Sequence, residues 1–376
     1  MKTVLLITNI PTPYRIPLFN VLDQQMKEKG WQLMVVFSGA GYKRRKFNID
    51  LSQIRFRYTI LKGGVFTPGK DSEKTYFFYK GLWGVLRTER PWRIIVSGFS
   101  PATFTVAFWH FLTRCPFLIW SGSIEAENRH NGILRRFSRR MLASWASACI
   151  AYGSQARKYL ENLGVPSDKI RIGINTVDTG FFSEKTAALK ALKGPNTTFT
   201  FTYIGYLVPR KNVKRVLDAV VHLHKRRSDF RLQIIGDGES KTELEKQCRE
   251  EGLENIVHFY GYKQKEELPA YLSTTDVLLF QTDFDIWGLV LNEAMAAGVC
   301  CISTVKAGAS HDLIREGENG LVTDFSDALQ AAEKMNWAME HPQEIQRMAA
   351  EASRFIRTEA SLEKSAKGFI EAIEIS

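Results

Sequence analysis

The chain has 376 residues, 44% hydrophobic and 24% charged, which is too long for one ordinary core and predicts two domains of a water-soluble, globular kind. No run reaches the roughly 18 uncharged apolar residues that a spanning helix needs, because the most apolar stretch, Phe99 to Trp120, is interrupted by His110 and Arg114. The net charge of +11 is uneven: residues 1–185 carry 28 Lys and Arg against 12 Asp and Glu, whereas residues 186–376 carry 23 against 28. Only the first half therefore suits a large anionic partner, and nucleic acid and an anionic membrane leaflet both qualify.

Taken in chain order, Met1 to Ile7 holds one basic residue and reaches Asn9 and Pro11 too soon for a signal peptide, so it reads as a buried first strand. A helical pattern follows through Ile16, Phe19, Leu22 and Met26. Strand-like runs come at Leu33–Phe37, Arg93–Ser97, Phe117–Trp120, Cys149–Tyr152 and Ile170–Ile174, with a helix at Gln155–Leu163. The polar stretch 184–198, closed by Gly194-Pro195-Asn196, is the best linker candidate. Beyond it strands at Phe199–Ile204, Arg231–Ile235, Ile256–Phe259, Val277–Phe280, Cys300–Ser303 and Leu321–Val322 alternate with helices, and the last sixty or so residues are helical. Such alternation predicts an α/β protein built of two doubly wound, Rossmann-like parallel sheets with a ligand cleft at their carboxyl ends. The expected divisions are a domain at 1–185, a linker at 186–198, a domain at 199–355, and a C-terminal helix at 356–376 that packs back on the first domain.

The most informative segment is Asp283 to Gly298, where Asp285 and Glu293 stand eight residues apart around a Gly-containing turn that opens a helix. Gly288 lets backbone approach a ligand, and the new helix offers unpaired N–H groups and a positive dipole end to an anion. An acid-decorated helix start would give part of the same pattern. Arg210 and Lys211, in the turn Gly205 to Asn212 after a strand, are candidates to neutralise a diphosphate leaving group, since cations at a helix start otherwise oppose its dipole. Gly308, with Ser310 as N-cap, is a candidate phosphate contact, or an ordinary connection. Gly236-Asp237-Gly238 is a lone Gly-x-Gly, and neither a full dinucleotide fingerprint nor a Walker-type loop is present.

In the first half, two prolines stiffen the loop that carries Arg15, a candidate phosphate or acceptor contact or a solvated turn residue. Glu125, after Ser121-Gly122-Ser123-Ile124, is a candidate acceptor-side carboxylate. Leu134, Phe137, Met141 and Trp145 fall near one helical face beside four arginines, as in a helix lying on anionic lipid or in a core helix with a basic solvated side. Tyr42 to Phe47 adds to the same positive field. His222 and His224, two apart on a helix, face apart and form no metal pair. Five cysteines, an odd number without metal-type spacing, fit a reducing compartment and hence the cytoplasm.

Several of these motifs together resemble a known family. The Asp285-x7-Glu293 element is similar to the Glu-x7-Glu signature of retaining family-4 glycosyltransferases of the GT-B fold. Pro11–Phe19, Ile174–Asp178, Gly205–Lys211 and Glu318-Asn319-Gly320 match that family's pattern in order along the chain. The resemblance implies that Glu293 binds the nucleotide ribose, that Asp285 with the backbone of Trp287, Gly288, Leu289 and Val290 holds donor sugar and phosphate, and that Lys211 stabilises the departing diphosphate. Gly205, Tyr206, Gly236, Gly308 and the stretch Gly261-Tyr262 are expected to line the nucleotide. Asp285 is one methylene shorter than the family's usual Glu. Tyr206 stands where an Arg usually does, so Arg210 or Arg15 is expected to supply the missing charge.

The activity implied is transfer of a sugar from a nucleoside-diphosphate sugar, UDP favoured over GDP, with retained anomeric configuration and without metal or further cofactor. The expected acceptor is a glycan or a polyprenyl-diphosphate-linked saccharide of bacterial surface polysaccharide assembly, met at the inner face of the cytoplasmic membrane. A nucleotide-sugar epimerase on the same architecture is a second reading. A basic nucleic-acid-binding protein is a third, although no nucleic-acid motif is present.

Overall fold

The structure is a computed structural model that describes residues 1–41, 46–66, 75–126, 132–194 and 197–376. The chain divides into two compact units, Met1–Val177 with Leu362–Ser376, and Asp178–Ser361.

Unit 1 runs β1 (Lys2–Thr8), α1 (Ile16–Glu28), β2 (Trp31–Phe37), β3 (Arg57–Ile60), β4 (Val65–Phe66), β5 (Tyr76–Phe77), α2 (Leu82–Glu89), β6 (Arg93–Ser97), α3 (Pro101–Thr113), β7 (Phe117–Ser121), α4 (Ile133–Trp145), β8 (Ala148–Ala151), α5 (Ser154–Asn162) and β9 (Ile170–Ile172). Seven of these strands form one sheet in the order β3-β2-β1-β6-β7-β8-β9, and each of its pairings is parallel. The run Val4–Ile7 is fully buried because a central strand covered on both faces has no solvent side, which is why it reads as continuously apolar rather than alternating. The short pair β4 and β5 is antiparallel and separate.

Unit 2 runs α6 (Thr179–Lys193), β10 (Phe199–Ile204), α7 (Lys214–His224), β11 (Phe230–Ile235), α8 (Lys241–Glu250), β12 (Val257–Gly261), α9 (Leu268–Leu272), β13 (Val277–Phe280), α10 (Leu289–Ala296), β14 (Cys300–Ser303), α11 (Gly308–Leu313), β15 (Leu321–Val322), α12 (Ala328–Glu340) and α13 (Pro342–Glu359). Its sheet has the order β12-β11-β10-β13-β14-β15, again with parallel pairings. Strand order reverses at β10, so β10 and β13 flank the switch point where doubly wound sheets take ligands. Alternating strands and helices in both halves make two Rossmann-like units, the fold class predicted.

The last helix, α14 (Leu362–Glu374), belongs to unit 1, where Phe369 packs edge-on against Trp120 at 5.0 Å between ring centroids. The division near residue 178 differs from the linker expected at 186–198, because α6 occupies most of that stretch. Polarity alone reads as loose chain, but Ala, Leu and Lys are all strong helix formers. Asp178 caps the helix by accepting the Phe181 N–H at 3.0 Å. Residues 195–196 of the expected linker lie outside the described residues, as do residues 42–45 of the basic stretch near the N-terminus.

Candidate functional site

Three loops leave the carboxyl ends of the adjacent strands β10, β13 and β14 in unit 2, and their backbones are tied together. The Asp283 N–H donates to Arg210 O at 2.9 Å, and the Arg210 guanidinium donates to Phe284 O at 2.5 Å. Asn212, in the left-handed region at φ 44°, donates its side-chain amide to Asp283 at 2.9 Å, while Arg215 pairs with the other oxygen of Asp283 at 2.7 Å. A short 3-10 turn, Pro209–Lys211, thereby holds its two cations against the loop after β13.

Lys211 Nζ meets Asp285 Oδ2 at 2.5 Å, and an Arg210 nitrogen lies 3.9 Å from the same oxygen. Asp285 Oδ1 accepts the Trp287 N–H at 3.1 Å. Burial pushes the Asp285 carboxyl up, but Lys211, Arg210 and the Trp287 amide outweigh it and hold the group below the usual range. The structure thus brings together, within unit 2, three of the residues singled out by sequence: Lys211, Arg210 and Asp285.

Gly288 starts α10 at φ +110°, and a Cβ there would sit 2.5 Å from the Phe280 ring. Its lack of a side chain is therefore demanded by the fold as well as by any ligand. The Gly288, Leu289 and Val290 amides find no acceptor among the described residues, as the first turn of a helix leaves them. Trp287 is buried and anchors this turn by donating its indole N–H to Asn292 at 2.9 Å.

Glu293 lies one turn further along α10, mostly buried, and its carboxyl has no hydrogen-bond partner among the described residues. Burial drives its carboxyl up to about 7, opposed by the charge of Lys265. A carboxyl held this way gains from any ligand that donates hydroxyl hydrogens to it.

Other expectations are met differently. Gly308 and Ala309 donate their N–H groups to Asp285 O and Trp287 O, both at 3.0 Å, so these amides are already used within the protein. A Cβ on Gly308 would fall 2.3 Å from Ile286 O, so this glycine serves the approach of two loops. Ser310 is not the N-cap of α11; it sits inside the helix and shares a hydrogen at 2.6 Å with Ser303, because the chain enters the helix two residues earlier. Gly205, Gly236 and Gly261 end the neighbouring strands β10, β11 and β12 and are linked by Gly205 N–H to Ile235 O and Gly236 N–H to Gly261 O. Tyr206 and Tyr262 are partly exposed in the loops beside them.

In unit 1, Arg15 stacks on the Trp120 ring with its guanidinium carbon 4.0 Å from the centroid and donates to the Tyr152 hydroxyl at 2.7 Å. This places Arg15 at the carboxyl edge of that sheet, in an aromatic cage rather than in free solvent. Glu125 is exposed and 3.8 Å from Arg136, an ion pair of little energetic weight. On α4, Ile133, Leu134 and Phe137 are 89%, 84% and 65% exposed. Arg139 departs from the expected basic face: it is buried and donates to the Tyr159 hydroxyl at 2.8 Å, while Trp145 packs against Phe111.

Sequence reading passed over Phe280, Asn292, Lys265, Trp120 and Tyr152, each of which acts on a candidate residue only through tertiary contact. The paired position of Asp283 with Asn212 and Arg215 had no local signal either, since 71 residues separate Asn212 from its partner.

Residues 184–355 match the family model for glycosyl transferases group 1, so unit 2 carries a glycosyl transferases group 1 domain. Among curated proteins, the chain is 26% identical over 173 residues to a lipopolysaccharide 1,6-galactosyltransferase of Escherichia coli, an alignment covering 46% of each chain. It is 30% identical over 125 residues to the lipopolysaccharide core biosynthesis glycosyltransferase LpsE of Rhizobium meliloti, covering 33% of this chain and 35% of that one. These alignments span less than half the length of either relative. Among solved structures, Anabaena Alr3699/HepE in complex with UDP superposes with a TM-score of 0.78 at 19% identity, covering 100% of both chains, which establishes the GT-B fold.

Proposed function

We propose that the protein is a retaining glycosyltransferase that moves a sugar from a nucleoside-diphosphate sugar, UDP-linked in preference to GDP-linked, onto a glycan or a polyprenyl-diphosphate-linked acceptor of a bacterial surface polysaccharide. The observation that carries this reading is the cluster of Lys211, Arg210 and Asp285 beside the unpaired first-turn amides of α10. Support comes from the group 1 domain and from relatives whose names describe lipopolysaccharide glycosyl transfer. The UDP held by the HepE structure supports the choice of base.

The chemistry asks little covalent work of the protein. The bond from the anomeric carbon to the β-phosphate oxygen breaks, and its electron pair leaves with the nucleoside diphosphate. Lys211 keeps hydrogens beyond the one given to Asp285, and these, with Arg210 and the α10 amides, stabilise the negative charge as it develops. The acceptor oxygen bonds to the anomeric carbon from the face being vacated, and its proton passes to the departing phosphate oxygen. Configuration is thereby retained without a protein nucleophile. Glu293 accepts hydrogen bonds from the ribose hydroxyls, which offset the burial of its charge.

A thermal-shift panel of UDP-, GDP- and ADP-sugars, followed by product analysis with acceptor, tests the reading. A donor at a hundred times its dissociation constant adds roughly 2.7 kcal/mol of stability. A β-linked product from an α-linked donor would refute retention, and conversion of donor without acceptor would favour an epimerase.

For α4 we propose contact with an anionic membrane leaflet. Its outward residues Ile133, Leu134 and Phe137 are apolar and lie among the exposed Arg135, Arg136 and Arg140, the pairing of features that interfacial helices use. Among the described residues, no helix is long and apolar enough to cross a membrane.

A further inference from the structure

A cavity of about 580 Å³ opens in unit 1 at the amino ends of β6 and β7. Arg93 is the first residue of β6, and Cys115 and Pro116 lead into β7. Arg15 and Tyr152 belong to the opposite, carboxyl edge, roughly 16 Å away along a five-residue strand. Within unit 1 the cavity is therefore separate from the Arg15 and Tyr152 edge.

Its wall is cationic. Arg87 and Arg90 reach it from the end of α2, Arg114 from the end of α3, and Arg93 from the sheet, and no acidic residue lines it. Glu89, the acid next in sequence, is committed to Arg57 at 3.2 Å. Arg87, Arg90 and Arg114 have no carboxylate partner among the described residues, while Arg93 lies over Trp92 and is fully engaged, donating to Ser376 O at 2.6 Å, Ser376 Oγ at 2.9 Å and Trp92 O at 3.1 Å. A plain explanation is that the arginines complement the helix C-termini, each of which carries roughly half a negative charge. The three guanidinium groups of Arg87, Arg90 and Arg114 against about one negative charge overshoot that need.

The backbone points the same way. Arg90 and Arg114 both end their helices in the left-handed region, at φ 42° and 60°. Glycine or asparagine fills such a position without strain, and non-glycine residues there are uncommon. Two arginines in this conformation line one open cavity, beside Trp92, Trp109, Pro91 and Pro116.

We propose that this cavity is a second anion site, which takes a phosphate or diphosphate group through Arg87, Arg90 and Arg114. The group is either a soluble phosphate or diphosphate or the headgroup of an anionic phospholipid, and the chemistry recognised is the same.

Cys115 provides a local reporter, because it lines the cavity and is half-buried while the other four cysteines are buried. The full chain is alkylated with N-ethylmaleimide and the rate at Cys115 is read by peptide mass spectrometry. Three conditions are compared with buffer: millimolar pyrophosphate, phosphatidic acid vesicles, and phosphatidylcholine vesicles of the same size. Protection of at least about fivefold is expected from pyrophosphate, or from phosphatidic acid beyond phosphatidylcholine, as occupancy of a site requires. The first result identifies a soluble source and the second a lipid headgroup. In the double variant Arg90→Gly, Arg114→Gly the protection is lost although the backbone is relieved, and Arg87→Gln, inside α2, weakens it without touching a cap. Protection by none of these ligands, or protection that survives in the double variant, overturns the proposal. The donor-sugar thermal shift remains intact in these variants, so this site and the transfer activity fail independently.

Discussion

Lys211 Nζ lies 2.5 Å from Asp285 Oδ2, joining the loop after β10 to the loop after β13 across 74 residues of sequence. Both side chains are largely buried, at 10% and 19% exposure, so neither charge is well hydrated if its partner is removed. Lys211→Ala and Asp285→Asn are each expected to cost about 3 kcal/mol in chemical denaturation. A double variant should cost clearly less than the sum of the two, and additive losses would show that the pair is not coupled.

Turnover separates this structural role from the chemical one. Lys211→Ala is expected to lower the transfer rate at least about a hundredfold, in keeping with lost stabilisation of developing charge, whereas Glu293→Ala is expected to raise the donor KM through the lost ribose contact. A near-native rate for Lys211→Ala with excess donor and acceptor, or an unchanged donor KM for Glu293→Ala, would remove that residue from the site.

Glu293 also sets a pH dependence. Its carboxyl is raised in the folded protein to about 7 from an ordinary 4.5, so the folded state binds the extra proton between these values. The stability this group contributes is present below 4.5 and is lost as pH rises through 7, by at most about 3 kcal/mol. Glu293→Gln should flatten this segment of the stability curve and raise stability at pH 8, while weakening nucleotide binding. Unchanged pH dependence of unfolding in the variant would contradict the buried-carboxyl account. Because ribose binding uses the ionised form, donor affinity in the native enzyme should rise as pH passes upward through 7, which calorimetry can follow.

Gly288→Ala should destabilise unit 2 by about 2 to 4 kcal/mol, since it adds both a left-handed strain and an overlap with Phe280. Phe280→Leu in the same chain should recover part of the loss. Gly308→Ala meets the Ile286 carbonyl instead, and no side-chain substitution should relieve it.

Leu134→Ser with Phe137→Ser removes apolar groups that are 84% and 65% exposed, so folding should be little affected. Flotation with anionic liposomes is expected to fall, with a weaker effect on neutral ones. Equal flotation of variant and native protein would argue against α4 as the membrane contact.

Strand positions were legible because a parallel sheet covered on both faces demands unbroken apolar runs, and Phe199–Ile204, Val277–Phe280 and Cys300–Ser303 hold the bounds read from sequence. The positions of Asp285 and Lys211 were legible because each sits in a turn that follows a strand, and that of Glu293 because the helix it rides on opens from such a turn. Arg139 and Ser310 were misread for one reason: whether a polar group faces solvent or core depends on neighbours distant in the chain. The helix through the expected linker was hidden by its polarity, although its alanines and leucines favour that structure.

By itself the sequence determined the local order of this protein, its two alternating halves, the basic surplus of the first half and the acid-flanked turn at residues 285–293. Those follow from backbone propensity and from the period of apolar residues, both of which act over a few positions. Tertiary structure alone decided that Lys211 spends a hydrogen on Asp285, that Phe280 requires Gly288 to be bare, and that Glu293 is left to ionise near neutrality. Charge interaction and steric exclusion act through space, and their outcome depends on which strand ends the fold sets side by side.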